Sequence, residues 1–280
     1  MTGVIDVGGG TRGIYGAGVF DWCMDNGIKF DYCIGVSAGS ANCVSYLAGQ
    51  KGRNFAFYNE YAFRPEYMGW DNLRKTGSYI NLDYIYTTLS AEGGENPVDY
   101  DAMKANPAGL EIVATDARTG KAVYFPKEEI RKDHYEFLKA SCCVPIVNRP
   151  YPVGEGLYFD GGLADPIPIR RLLGKGCDRA VVILTRPKTA FRRPGKEPVW
   201  ARILKHNYPE AAKVLRSRWQ IYNTELQIAL ELERAGKALI IAPDSIGNLK
   251  TLTQDHAQLE TLYEKGLKDA EKIGRFFEQT

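Results

Sequence analysis

The sequence predicts an α/β fold built around a mainly parallel sheet. The first 48 residues alternate twice between a short apolar strand, a glycine-containing turn and a helix. Such alternation is typical of parallel strands joined by right-handed crossovers. Further along, residues 180–184 are apolar throughout, as expected of a strand buried on both faces of a parallel sheet. In folds of this kind, functional loops open at the carboxyl edge of the sheet.

Four elements are expected in the N-terminal part of the chain. In order, they are a strand over residues 4–7, a helix over 14–26, a strand over 30–36 and a helix over 38–48. Each helix is followed by a glycine, Gly27 or Gly49, which suits the left-handed conformation that often ends a helix. Ser37 lies at the turn from the second strand into the second helix.

The rest of the chain divides at about residue 185. Residues 51–101 are rich in tyrosine and phenylalanine and predict short helices and loops. Strands are expected over residues 110–114, 121–125, 156–159 and 180–184. A long helix over 209–235, an edge strand over 238–242 and an amphipathic helix over 255–277 complete the chain. We therefore expect an α/β core over residues 1–185 and a helical extension over 186–280 that packs on it.

Composition narrows the possible functions. The 280-residue chain carries 36 basic and 34 acidic residues, a net charge of +2, which gives no general attraction to nucleic acid. Its start lacks the basic region of a signal peptide, and no uncharged apolar run reaches the roughly 18 residues of a membrane-spanning helix. We expect a cytoplasmic protein whose contact with a membrane is peripheral.

The cysteines and histidines argue against a metal site. The six cysteines show no CxxC spacing, and reduced thiols are expected in a chain of this size and class. None of the three histidines, His134, His206 and His256, is spaced near a cysteine pair. None lies beside a glycine or a strand end as a catalytic histidine usually does. We expect no metal and three structural or solvated histidines.

A candidate nucleophile lies in residues 35–39, Gly-Val-Ser-Ala-Gly, which match the G-x-S-x-G pattern. This pattern forms a strained strand-to-helix turn that exposes the serine hydroxyl, and Gly35 and Gly39 leave room for the neighbouring strand and helix. The N-terminal amides of the next helix point at a developing oxyanion. Because no histidine is well placed, we expect a carboxylate to take the proton of Ser37, which a dry site favours.

A glycine-rich loop, Gly8 to Gly13, follows the first predicted strand, and two functions fit it. Its G-x-G-x-x-G spacing matches the dinucleotide fingerprint of an oxidoreductase, with Asp31 about twenty residues on as the ribose-binding acid. Alternatively, the loop forms an oxyanion hole, in which its backbone amides point at a substrate carbonyl oxygen as that oxygen becomes negative. The second loop at Gly35 favours the oxyanion function, and Arg12 would then reinforce the loop or meet a phosphate head group.

A third motif, Asp160-Gly161-Gly162, follows a predicted strand. The two glycines leave the carboxylate of Asp160 uncrowded, so that a nucleophile could approach it. Taken alone, Asp-Gly-Gly is typical of a turn.

In this order, the three motifs resemble those of the patatin-like phospholipases. Residues 140–145, Ala-Ser-Cys-Cys-Val-Pro, resemble that family's A-S-x-A-x-P segment, with Cys143 where alanine is usual. The resemblance covers residues 4–185, and the tail around residues 207–209 and 218–223 is similar to a bacterial subgroup.

The resemblance implies a three-layer α/β/α fold and hydrolysis of lipid acyl esters, phospholipids or lysophospholipids, without a metal or cofactor. Ser37 would attack the ester carbonyl and form an acyl-enzyme. Asp160 would act as the general base and then help to activate the deacylating water. The oxyanion hole would be formed by the backbone of Gly8, Gly9 and Gly10, with the amide of Ala38.

A basic segment over residues 186–205 is the one membrane-facing feature that the sequence predicts. Its seven basic residues are Arg186, Lys188, Arg192, Arg193, Lys196, Arg202 and Lys205. Phe191 and Trp200 are interleaved with them, and each charge near anionic lipid would contribute about 1 kcal/mol. The alternative for this segment is a solvated loop. A lipid-binding protein with an intact but unused site is a third possible function of the chain.

Overall fold

The computed structural model describes residues 1–278. In these residues eight strands form one sheet. The strands are β1 (Thr2–Asp6), β2 (Tyr32–Val36), β3 (Gly109–Asp116), β4 (Ala122–Pro126), β5 (Tyr151–Val153), β6 (Gly156–Asp160), β7 (Arg179–Ile183) and β8 (Ala238–Ile241). The strands β8, β7, β1, β2 and β3 are hydrogen-bonded in that order and run parallel. The strands β4, β5 and β6 add antiparallel pairs at the β3 end.

Helices lie between most of these strands. They are α1 (Ile14–Asp25), α2 (Ala38–Leu47), α3 (Arg53–Asn59), α4 (Trp70–Thr76), α5 (Tyr100–Ala105), α6 (Glu136–Ser141), α7 (Ile169–Gly174), α8 (Glu197–Leu204), α9 (Pro209–Arg234) and α10 (His256–Glu278). A π-helical turn at Tyr84–Leu89 lies in the aromatic stretch. Among the described residues, no helix has both the length and the apolar character needed to cross a bilayer.

Both faces of the sheet are covered, which gives three layers. Adjacent residues of a strand point to opposite faces, so Val4 and Ile5 of β1 enter two different apolar clusters. Val4 packs with residues of α1, α2 and α10, whereas Ile5 packs with residues of α7 and α9. Strands buried on both faces must be apolar throughout, which is why the predicted parallel strands lacked polar alternation. The expected three-layer α/β/α fold is confirmed.

The C-terminal segment joins this architecture at two places. Strand β8 pairs with β7 and forms the edge of the sheet, where the sequence placed an edge strand. Helix α10 approaches α1 closely, because a Cβ on Gly18 would lie 2.3 Å from the carbonyl oxygen of Tyr263. The Tyr15 hydroxyl of α1 also donates a 2.8 Å hydrogen bond to Asp269 of α10.

Candidate active site

Ser37 lies on a tight turn between β2 and α2, at the carboxyl edge of the sheet. Its backbone has φ 56° and ψ −133°, a strained conformation for a residue with a side chain. Two glycines make the turn possible. A Cβ on Gly35 would lie 2.3 Å from the Cα of Ser40, and one on Gly39 would lie 2.2 Å from the carbonyl oxygen of Asp6. The turn therefore has the form of a nucleophile elbow.

Ser141, at the end of α6, holds this turn in place. Its hydroxyl oxygen accepts a 2.9 Å hydrogen bond from the backbone amide of Ser37 and lies 2.9 Å from the hydroxyl oxygen of Ser40. All three residues are buried. No role of Ser141 was expected from the sequence, although the residue lies in the A-S-x-A-x-P-like segment that contributed to the family resemblance.

Strand pairing brings Asp160 to Ser37. Strand β4 pairs with one edge of β3. Because the β3 residues that pair with β4 also pair with β2 or with β6, both β2 and β6 lie along the opposite edge of β3. On that edge Val36 pairs with Val113, and Asp160 pairs with the next residue, Ala114. Strand β6 runs toward the end of β2. Ser37, which follows Val36, therefore meets the end of β6, and its side chain lies near enough to the Asp160 carboxylate to lower the pKa of that carboxylate.

The Asp160 carboxylate is buried, with 6% of the residue exposed. Burial raises its pKa, while the nearby Ser37 side chain, the positive charge of Arg218 and the hydrogen bond from the Gly162 amide oppose the rise. The Gly162 amide donates at 2.8 Å to Oδ1. Gly161 is required by space, because its Cβ would lie 2.2 Å from the Val113 carbonyl oxygen. The Asp-Gly-Gly motif thus forms a close turn over β3 with its carboxylate at Ser37.

The glycine loop lies directly beside the serine turn. Gly8, Gly9 and Gly10 all have positive φ angles, of 60°, 128° and 64°. A Cβ on Gly8 would lie 2.4 Å from the carbonyl oxygen of Val36, so only glycine permits this approach. The Gly8 amide donates at 2.9 Å to the buried Asp6 carboxylate, so this amide points away from a substrate.

Asp6 organises the base of this loop. One oxygen of its carboxylate accepts from the Gly8 amide and the other from Asn42 Nδ2 at 2.8 Å. Asn42 Nδ2 also donates at 2.9 Å to the Gly13 carbonyl oxygen. Burial raises the pKa of Asp6 to about 6, against these hydrogen bonds. Asp6 lies inside the strand expected over residues 4–7, and nothing in the linear pattern marks its contact with Asn42.

Two cavities meet at Ser37. The larger has a volume of about 430 Å³, within the range of ligand sites, and contains Ser37, Asp160 and the glycine loop. The smaller has about 70 Å³ and is lined mainly by apolar and aromatic side chains. Most of these side chains come from residues 51–101, for which the sequence predicts short helices and loops. They are Phe57, Tyr58, Tyr67, Met68, Ile80, Leu82, Ile85 and Tyr86.

Four arginines line the larger cavity: Arg12, Arg186, Arg192 and Arg218. Of these, only Arg12 was expected at the site. Residues 186–205 were expected to form one surface segment, but the structure divides that segment. Arg186, Arg192 and Trp200 line the cavity, Lys188 pairs with Glu233, and the other basic residues are exposed.

The structure removes support for a dinucleotide site in the glycine loop. That loop follows the carboxyl end of β1, whereas Asp31 precedes the first residue of β2. Because β1 and β2 are parallel, Asp31 lies at the opposite edge of the sheet, where its carboxylate accepts a 2.7 Å hydrogen bond from the Thr2 amide. The expected ribose-binding position of Asp31 is therefore wrong: sequence spacing gave no information on which end of the strand it occupies.

Histidines and metal-ligand clusters are also absent from this region of the described chain. No histidine lines either cavity; His134 and His206 are exposed, and His256 stacks on Phe63 with ring centroids 3.6 Å apart. Residues 1–278 contain no group of three His, Cys, Asp or Glu side chains placed to hold a metal ion. The six cysteines are unpaired thiols.

Comparisons with known proteins give matches in both parts of the chain. A family model described as patatin-like phospholipase matches residues 7–173, and one described as a domain of unknown function, DUF6363, matches residues 208–278. The uncharacterised protein YjjU of Escherichia coli K12 is 29% identical over 192 residues, which make up 67% of this chain and 52% of YjjU. This chain thus spans about half the length of that relative.

Two further similarities are more distant. An uncharacterised NTE family protein of Mycobacterium tuberculosis is 30% identical over 97 residues, 35% of this chain and 26% of that protein. The crystal structure of VipD from Legionella pneumophila aligns with 97% of this chain and 66% of its own, with a TM-score of 0.49 and 14% identity.

Proposed function

Because the chain belongs to the patatin-like phospholipase family, whose model matches more than half of it, we propose that it hydrolyses carboxylic esters of lipids. In this proposal Ser37 is the nucleophile and Asp160 the base. The observation that carries it is the convergence of Ser37, at the end of β2, and the buried Asp160 carboxylate, at the end of β6, on one cavity that meets a second at Ser37. A dyad without histidine is consistent with the lining of these cavities.

In the acylation step, Asp160 takes the proton of the Ser37 hydroxyl while the serine oxygen bonds to the ester carbonyl carbon. The carbonyl π electrons move to its oxygen, which becomes an oxyanion. When the oxyanion collapses, the bond to the leaving alcohol breaks and the alcohol takes the proton from Asp160. A water then gives a proton to Asp160 and attacks the acyl-serine. Collapse releases the fatty acid and returns the proton to Ser37.

The raised pKa of Asp160 suits this role. A carboxylate at its ordinary pKa is a weak base, and burial increases its affinity for the serine proton. The same burial limits access of bulk water to the reacting atoms. The cation of Arg218 keeps the carboxylate ionised enough to act, so the base is tuned by two opposing effects.

The oxyanion hole that we propose uses the amides of Gly9, Gly10 and Ala38. Ala38 is the first residue of α2, so its amide lies at the positive end of the helix dipole. Gly8 was expected to contribute an amide as well, but that amide donates to Asp6. Gly8 instead allows the loop to approach the serine turn.

The two cavities suggest where the parts of a substrate lie. The small apolar cavity would hold the acyl chain, whose transfer from water onto aromatic and aliphatic walls is favourable. The larger, polar cavity would hold the alcohol side of the ester. A lipid such as a phospholipid or lysophospholipid has both parts.

Peripheral contact with a membrane is part of the proposal, through the outer face of α8. Val199 and Ile203 are 61% and 62% exposed, although both are apolar. Arg202 on the same short helix and Lys205 directly after it are also exposed. Apolar side chains flanked by basic ones favour an anionic lipid surface. We therefore propose a cytoplasmic protein that contacts the inner face of the membrane peripherally.

Substitution of the dyad tests the function. Ser37→Ala should lower kcat for a short-chain aryl ester at least about 10³-fold, since the nucleophile is lost. Asp160→Asn should lower it about 10²- to 10⁴-fold, because the amide has a similar shape but takes no proton. A fluorophosphonate should label Ser37 in the wild-type protein, with mass spectrometry as the measurement.

Ser217→Ala is the matched control, because Ser217 bonds only to carbonyls of its own helix, α9. It should keep wild-type activity and labelling. Full activity in Ser37→Ala would refute the mechanism in which Ser37 is the nucleophile. Binding to anionic vesicles without turnover of any ester would support the lipid-binding alternative in place of a hydrolase.

A further inference from the structure

The larger cavity has an excess of positive charge. Five cationic and two acidic side chains line it, and the acidic ones are Asp160 and Glu197. The cations are Lys250 and the four arginines Arg12, Arg186, Arg192 and Arg218. Arg12 lies within the glycine loop, Arg186 and Arg192 follow β7, and Arg218 lies on α9. Elements that are distant in sequence thus bring their guanidinium groups to one space.

Two of these arginines have a buried guanidinium nitrogen without a hydrogen-bond partner within the described chain. The Nε atoms of Arg186 and Arg192 are buried and make no hydrogen bond in residues 1–278. A buried donor attached to a cation is costly to leave unpaired. Arg12 is only 3% exposed, and its hydrogen bonds to Gly9 and Thr251 are long, at 3.4 Å. The cavity therefore presents charged donors that the described residues do not satisfy.

Arg192 is held in place rather than left to move into solvent. Its backbone amide donates at 2.7 Å to Asn223 Oδ1, and Asn223 Nδ2 donates at 2.9 Å to its carbonyl oxygen. Its guanidinium lies over the ring of Tyr222, 4.1 Å from the centroid. Arg218 is fixed by a hydrogen bond from Nε to the carbonyl oxygen of Gly162. Side chains fixed before a ligand arrives lose little entropy when they bind it.

The positive charges of the arginines also repel one another. Burial lowers the pKa of Arg12 to about 10 and that of Arg192 to about 9, and the charges of neighbouring arginines add to both effects. Asp160 and Glu197 raise the pKa of Arg218, but burial outweighs them and the pKa is lowered. Two carboxylates do not balance five cations, so an anion in this cavity would be stabilised.

We propose that the arginine cluster binds a dianionic phosphate monoester carried by the substrate, which makes acylglycerol phosphates the preferred esters. Guanidinium groups bind phosphate oxygens in pairs, and several arginines around one phosphate match its charge and its number of acceptors. Ser37 lines the same cavity, so the phosphate belongs to the alcohol side of the ester under attack. This inference rests on the proposed function and specifies its substrate class.

Other head groups fit this cavity less well. A neutral glyceride would leave the buried guanidinium groups without an anion. A choline head group would bring a quaternary ammonium into a site that already holds an excess of cations. Both substrates should therefore be hydrolysed with lower kcat/KM than the phosphate monoester.

The first test compares three esters with the same octanoyl chain, used below micelle formation so that membrane contact has no influence. They are 1-octanoylglycerol 3-phosphate, its phosphocholine counterpart and 1-octanoylglycerol. The wild type should prefer the phosphate monoester in kcat/KM. In Arg186→Gln and Arg192→Gln, the ratio of kcat/KM for the phosphate monoester to that for the neutral ester should fall about 10- to 100-fold, as expected for lost hydrogen bonds to a charged group.

Arg216→Gln is the matched control, because Arg216 is exposed on α9 and lies outside the cavity lining. Its ratio should equal that of the wild type. Equal kcat/KM for all three esters, or an unchanged ratio in the two cavity variants, would overturn the proposal while leaving the hydrolase intact. If no ester is hydrolysed at all, the proposed function has failed instead.

The second test measures binding without turnover. Isothermal titration of Ser37→Ala with glycerol 3-phosphate, inorganic phosphate and glycerol reports on the cluster independently of hydrolysis. Glycerol 3-phosphate should bind at least tenfold more tightly to Ser37→Ala than to the Ser37→Ala, Arg192→Gln double variant. Glycerol should not bind. Tight binding of inorganic phosphate, combined with no preference for the phosphorylated ester, would assign the cluster to free phosphate and refute the substrate assignment.

Discussion

The Gly8→Ala substitution should uncouple the glycine loop from the serine turn. The added Cβ would lie 2.4 Å from the Val36 carbonyl oxygen and 2.6 Å from the Gly39 amide nitrogen. Ordinary contact begins at 3.4 Å, so the loop and the turn must separate by about 1 Å. Both neighbours are backbone atoms and have no rotamer to change. The displacement therefore falls on Ser37 or on the loop amides.

Two effects of this substitution differ in size and in readout. Alanine at a positive φ costs about 1–2 kcal/mol of folding free energy wherever it occurs. The steric clash costs about 1–3 kcal/mol more, as overpacking usually does. A 1 Å misplacement of reacting groups lowers the rate about 100-fold. We therefore expect kcat/KM for a neutral aryl ester to fall about 100-fold at a temperature where the variant stays folded.

Gly27→Ala separates the two effects. Gly27 has φ +64°, close to the +60° of Gly8, but a Cβ there would meet nothing within 4 Å. The variant should lose only the folding free energy that alanine at a positive φ costs, and it should keep wild-type kcat/KM. Urea denaturation and ester kinetics on the same preparations give both quantities. If Gly8→Ala keeps activity within about threefold, the close approach of the loop is not needed for the reaction.

Two further predictions concern the support of the dyad. Ser141→Ala should lower the free energy of unfolding by about 1–3 kcal/mol, because the buried amide of Ser37 loses its acceptor. It should also lower kcat/KM about tenfold, because the turn loosens. Urea denaturation and ester kinetics measure the two effects, and unchanged values would show that Ser141 does not support the turn. Since Asp160 must be ionised to act, kcat/KM should rise with pH through its raised pKa. Arg218→Gln removes a cation that lowers the pKa of Asp160, so the midpoint of the pH–rate profile should move to higher pH. Arg218→Lys keeps the cation and should return the midpoint to its wild-type value. A shift of the Arg218→Gln midpoint to lower pH would contradict this electrostatic role.

Much of the dyad could be predicted from sequence because its parts are local. A strand that ends in Gly-x-Ser-x-Gly and continues as a helix has few conformations available, and the structure shows that turn at Ser37. The strand before Asp160 and the two glycines after it were also visible in the chain. Their meeting at the end of β2 depended on the antiparallel course of β6, which no local pattern specifies.

Expectations about individual contacts were less successful where distant groups compete. Gly8 was expected to donate to an oxyanion, but its amide donates to Asp6, which is buried against helices α1 and α2. Asp31 had the spacing of a ribose ligand and lies at the other edge of the sheet. In both cases the residue type was visible in the sequence, while the direction of the group was not.

The sequence by itself determined the strand–turn–helix frame, the serine and carboxylate, and the glycines that allow close approach, since steric rules act over a few residues. Only the tertiary structure decided which basic residues face the site. Arg12 and Arg218 are 206 positions apart, and Arg186 and Arg192 lie in a stretch that reads as exposed. Their convergence depends on the pairing of Asn223 with Arg192 and on the course of α9, because burial and charge act between groups that are near in space rather than in sequence.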